Sequence, residues 1–171
     1  MAALPTLTVL RSAIVTEIKK ALNPGVPANA VTVHVYRRFW RDEQKFRKLF
    51  ERKAPDLMPG KINGWMVQRF ATTEVETEER WRFYQLHRFE LHGYMGIQDE
   101  DVLATENVFQ DQIEVIRDNL RLSRPVFGNM ERVVPVTQVD GVEPVTFGDS
   151  TVWYAKLTLV TEGIENKTET P

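Results

Sequence analysis

The sequence predicts an α+β domain: a single, mostly antiparallel sheet with two main helices packed on one face, plus a basic insertion after the first strand. Three observations predict it. Two long segments repeat apolar residues every three or four positions, the period of a helix that buries one stripe. Several shorter runs alternate apolar and polar residues, the period of a half-buried strand. Their order, helix, strand, insertion, two strands, helix, two strands, suits one sheet with its helices on a face.

The first helix is expected from Leu7 to Leu22, where Leu7, Leu10, Ile14, Ile18 and Leu22 share a stripe. Thr6 or Thr8 can supply the N-cap oxygen, and Asn23, Pro24 and Gly25 stop the helix. Val31 to Arg38 reads as a strand, with Val31, Val33 and Val35 on one face and Thr32, His34 and Tyr36 on the other. Asp42 to Lys53 is mostly charged, but Phe46, Leu49 and Phe50 can share a face, which suits a short amphipathic helix or an ordered loop; Pro55 and Pro59 end any helix.

Ile62 to Thr73 and Arg80 to His92 read as an antiparallel pair of strands joined by the acidic stretch Glu74 to Glu79. The second is apolar on both faces, so it is either a central strand or one sealed by a partner chain. A turn is expected at Gly93 to Gly96. A second long helix, about residues 100 to 122, follows with the stripe Phe109, Ile113, Ile116 and Leu120, capped by Asp99 or Asp101. Val133 to Val139, a turn at Asp140 and Gly141, and Val152 to Thr161 suggest the last two strands, with Trp153, Ala155, Leu157 and Leu159 alternating. Residues 1–161 are thus expected to form the domain, with 39–59 as its basic insertion and 162–171 as a polar, flexible tail.

Composition narrows the function classes. The chain has 171 residues, 42% hydrophobic and 27% charged, which lies near globular averages and suits one domain. A net charge of -2 provides no global attraction to nucleic acid or anionic lipid. Charge is nonetheless segregated: Arg37 to Lys53 holds eight basic residues against three acidic ones, while Glu74 to Glu79 holds four acids. Without cysteine there is no disulfide, thiolate metal site or thiol nucleophile. The N-terminus does not read as a signal peptide and no stretch reaches the ~20 apolar residues of a membrane helix, so a cytosolic origin is expected.

Familiar catalytic and metal-binding patterns are missing. His87 and His92, five apart on one strand, point to opposite faces and do not share an ion. Ser12, Ser123 and Ser150 lie outside any Gly-x-Ser-x-Gly elbow. Gly60 and Lys61 resemble the end of a phosphate loop, but Ile62 stands where a magnesium-binding hydroxyl is required. Glu106 with Asp111, and Glu114 with Asp118, are carboxylate pairs better explained as the solvated face of the second long helix. No catalytic residue, metal or cofactor is expected.

The most informative polar segment runs from Arg37 to Lys53, where Arg37, Arg38, Arg41, Lys45, Arg47, Lys48, Arg52 and Lys53 interleave with Phe39, Trp40, Phe46 and Phe50. Cations for phosphate with rings for stacking are what nucleic-acid grooves use. The same pattern also fits a protein-docking helix whose rings are buried, or a solvated surface.

The stretch Arg88-Phe-Glu-Leu-His-Gly-Tyr-Met-Gly-Ile-Gln-Asp99, followed by Thr105-Glu-Asn-Val-Phe-Gln-Asp-Gln-Ile-Glu-Val-Ile-Arg-Asp-Asn-Leu120, resembles the tail terminator proteins of long-tailed bacteriophages. The shared features are a strand ending in a Gly-Tyr turn and a helix carrying Phe, Ile positions and an Arg-Asp-Asn-Leu end; the order of the remaining elements extends the resemblance over most of the chain. The segment 39–59 is longer than that family would lead one to expect.

The resemblance implies a structural virion protein of the tail and neck, assembled in the host cytoplasm. Six copies would form a ring on the tail tube, stop its polymerisation and offer the opposite surface to the head connector or neck protein, with DNA at most passing through the lumen. Partner-facing candidates are then Arg37, Arg38, Arg41, Lys45, Arg47 and Lys48 in the basic segment, Glu76 and Glu78 in the acidic turn, and Tyr94 and Met95 in the glycine turn.

Overall fold

The computed structural model describes residues 6–22, 31–35, 38, 40–51, 62–76, 82–97, 102–122 and 132–166. Its elements are α1 (Leu7–Leu22), β1 (Thr32–His34), α2 (Glu43–Phe50), β2 (Asn63–Glu76), β3 (Arg82–Gly96), α3 (Val102–Leu122), β4 (Arg132–Phe147) and β5 (Ser150–Asn166). The fold class is α+β, with one five-stranded sheet in the order β1-β2-β3-β5-β4. Only β1 runs parallel to its neighbour; the other pairings are antiparallel. A parallel pair requires a crossover rather than a tight turn, and α2 lies in that crossover.

Local chemistry explains where the helices begin. Thr6 caps α1, its carbonyl accepting from the Leu10 N–H (3.0 Å) and its hydroxyl from the Val9 N–H (3.4 Å). Asp42 caps α2, its carboxylate accepting from the Lys45 N–H at 2.8 Å. That cap, with Phe46 and Phe50 one turn apart, makes a helix of a segment whose charge alone left a loop open.

Side chains of β2, β3 and β5 that face α1 and α3 build the main core: Trp65, Val67, Phe89, Leu91, Trp153, Ala155, Leu157 and Leu159. The predicted stripes complete it, with Leu10, Ile14 and Ile18 from α1 and Phe109, Ile113, Ile116 and Leu120 from α3. Gly93 is a packing requirement. A Cβ there would lie 2.5 to 2.7 Å from the Trp65 indole of the neighbouring strand.

Several boundaries differ from the sequence-based expectation, beginning with β1, which ends at His34 while Val35 and Arg38 lie outside the strand. The Gly93 to Gly96 segment is not a turn: β3 continues through it, with Gly93 opposite both Trp65 and Ala155. The acidic turn is shorter than expected because β2 runs on to Glu76, paired with Phe83. Asp140 and Gly141 do not reverse the chain either. They sit at an irregularity in β4, between the pairs Asp140 with Lys156 and Glu143 with Tyr154, because a small residue tolerates a bulge as readily as a turn. The reversal falls at Gly148 and Asp149, where Gly148 adopts φ 61 between the paired Phe147 and Ser150. Finally, the supposed tail is a strand as far as Asn166, opposite Arg82, since ladder hydrogen bonds do not require apolar side chains. Residues 167–171, and the expected caps Asp99 and Asp101, lie outside the described residues.

Candidate functional site

The second face of the sheet carries α2. This helix turns Phe46 and Phe50, both fully buried, onto Ile62, Met66, Tyr94 and Val152, with Trp40, Leu49, Phe147 and Tyr154 packed around them. The contacts are mostly aromatic and mostly edge-on or tilted: Trp40 to Phe46 at 5.1 Å, Trp40 to Phe147 at 5.5 Å, Phe46 to Phe147 at 4.3 Å, and Phe50 to Tyr94 at 4.8 Å between centroids. Gly64 lets α2 approach, since a Cβ there would lie 2.8 Å from the Phe50 ring.

A polar latch ties α2 to the β4–β5 turn. Glu43 accepts from the Ser150 hydroxyl (2.5 Å), the Asp149 N–H (2.9 Å) and the Arg47 Nε–H (2.7 Å), and Arg47 also donates to the Ser150 oxygen at 2.8 Å. These donors, Ser150 foremost, hold the Glu43 carboxyl down at about 2 instead of 4.5. Ser150 is buried, and its polar partners are a carboxylate and a guanidinium. That is the setting of a structural hydroxyl.

Beside α2 opens a groove of about 350 Å³ lined by Arg38, Trp40, Met66, His92, Tyr94, Glu143, Val145, Phe147 and Tyr154. Its floor is aromatic and its rim carries both charge signs. At one end a hydrogen-bonded row crosses the sheet. Gln68 Nε2 donates to Glu90 Oε2 (2.5 Å); His92 Nε2 lies 2.8 Å from Gln68 Nε2 and 3.3 Å from Glu90 Oε2, and its Nδ1 lies 2.9 Å from the Tyr154 oxygen. Burial pushes the Tyr154 phenol up, and the Asp140 carboxylate, 2.6 Å from Lys156 Nζ, raises that ammonium.

His87 and His92 face opposite sides, as their spacing predicts. His87 is buried beside Thr72, at 3.0 Å, and burial lowers its pKa. Among the described residues no group of three or more His, Asp or Glu side chains could hold a metal ion, and no helix is long and apolar enough to cross a membrane.

The expected partner-facing residues divide sharply. Arg41 and Lys48 are exposed, and Lys45 is exposed with a loose ion pair to Asp42 at 3.6 Å. Arg38 lines the groove. Arg47 is half-exposed, with its Nε held in the latch. Tyr94 and Met95 are corrected outright: at 4% and 7% exposure they belong to the two cores, because β3 passes through the supposed turn. Glu76 ends β2, and Arg37 and Glu78 lie outside the described residues. Gln68, Glu90, His92 and Tyr154 were not singled out as a group. The signal for them is strand parity, since positions 90, 92 and 154 align on one face only once the β3–β5 register is known.

The chain matches no model of a known protein family, and no curated protein sequence matches it.

Proposed function

We propose that this protein is a structural assembly module, a tail-terminator-like virion component that closes into a six-copy ring, ends tail-tube growth and receives the head connector. What supports this reading is the placement of charge: the exposed cations Lys45 and Lys48, with Arg41 just before them, stand on or beside a helix whose aromatic side is used in packing. Among the described residues, the one ion pair that ties these cations to the fold is the long Lys45–Asp42 contact at 3.6 Å. The element order that the resemblance implies agrees with the sheet and its two long helices. The same packing weakens the nucleic-acid alternative, because Phe46 and Phe50 are buried and cannot stack on bases.

The groove favours one second reading, a small-ligand-binding domain, since a concave apolar site with a few convergent polar groups is the usual form of such sites. Light scattering over a concentration series separates the two. A closed six-copy species is expected. A strict monomer at every concentration overturns the self-closing ring and favours the ligand-binding domain.

A further inference from the structure

We infer that copies of this chain join front to back, the basic outer face of α2 on one copy seating on the outer face of α3 of the next. The inference rests on the ring reading and assigns the two surfaces that would form its contact.

The first surface is built on a short helix with sharply divided sides. Phe46 and Phe50 point inward, while Gln44, Lys45 and Lys48, with Arg41 just before the helix, face solvent. Arg47 and Glu43 neutralise each other in the latch, so the charge left on display is positive. Asp42 only partly offsets it: the Lys45–Asp42 pair is 3.6 Å long with side chains 61% and 52% exposed, a weak contact that a partner carboxylate can replace.

The second surface is the side of α3 opposite its core stripe. Val108, Asp111, Val115 and Asp118 recur at three- and four-residue spacing and form one exposed row, with Glu114 beside it. Val108 and Val115 are 51% and 46% exposed, two of the few large apolar side chains so placed among the described residues. Apolar positions flanked by carboxylates form a small anchor inside an acidic border. Glu114 and Asp118 do hold Arg117 and Arg121 at 2.6 and 3.6 Å, but as exposed contacts along one helix.

The two surfaces lie on opposite sides of the sheet, because α3 packs on the Trp65 and Leu157 face and α2 on the Met66 and Tyr94 face. They cannot meet within one chain. Between chains they make a heterologous contact, which leaves one surface vacant at each end of any open chain, and so propagates until the rotation per copy closes a ring. Opposite charge selects the partner and orients it, while the valines exclude water.

Two double variants test the assignment, K45E/K48E on α2 and D111K/D118K on α3, each checked for an unchanged circular dichroism melt and then for mass by light scattering. Each alone should weaken association by roughly tenfold or more. An equimolar mixture should restore it, because the reversed α2 of one variant then meets the reversed α3 of the other and an even-membered ring can alternate them. If either variant assembles as the wild type does, or the mixture fails to recover, the assigned surfaces are wrong while the ring stands. If the wild type itself never associates, the ring reading falls and takes this inference with it.

Discussion

On the α1/α3 face, β2, β3 and β5 present mainly aliphatic and aromatic side chains, and two helices of 16 and 21 residues cover them. On the other face a helix of eight residues covers one end of the sheet with aromatic rings, and the neighbouring positions carry Gln68, Glu90, His92, Tyr154 and Lys156. The difference shows how one sheet can carry apolar burial on one face and directional, partly polar packing on the other. Aliphatic stripes bury area without direction, whereas rings and hydrogen-bonded polar groups need specific geometry and leave concave, charged surface between them.

If that division is right, the largest effect comes from the first face. Trp65→Ala, which empties a fully buried site between Gly93 and Phe109, should cost about 3–5 kcal/mol in urea unfolding. A smaller loss would mean that the helices collapse into the space, and that the face is less tightly packed than its contacts indicate.

The latch gives an intermediate effect on the second face. Ser150→Ala removes the foremost donor to Glu43 and should lower the melting temperature by on the order of a few degrees at neutral pH. Because the folded Glu43 value lies near 2 and the free value at 4.5, the stabilisation is fully present above about 4.5 and is lost as pH falls towards 2. The gap between wild type and Ser150→Ala should therefore narrow across that window. A gap constant with pH would mean that the hydroxyl acts by packing alone.

The smallest effect on folding should come from the outer side of α2. Lys45→Met should change stability by less than about 0.5 kcal/mol, since its ion pair is exposed and long. Its effect on association should be measurable by light scattering, and a change in both quantities together would blur the separation between the two faces.

Much of the first face was legible in the sequence. The α1 stripe, the α3 stripe and the alternation Trp153, Ala155, Leu157, Leu159 are periodic signals of burial, and each of those β5 and α3 positions is buried. The second face was less so, because its chemistry depends on register. Tyr94 and Met95 seemed to sit in a glycine turn, yet Gly93 serves the Trp65 ring and Gly96 donates its N–H to the Ile62 carbonyl at 2.8 Å. Arg47 looked like one cation among eight until Ser150, over a hundred positions away, claimed it.

By itself the sequence determined the class of fold, the two long helices and the apolar sides they bury, because periodicity is a local property that burial imposes on each element separately. Only the tertiary structure decided that α2 takes the opposite face, that Asp140 and Gly141 form an irregularity while Gly148 makes the turn, and that the charged segment divides into a latch and a free surface. Those outcomes depend on which strands pair and in what register, and the energy of pairing belongs to residues far apart in the chain.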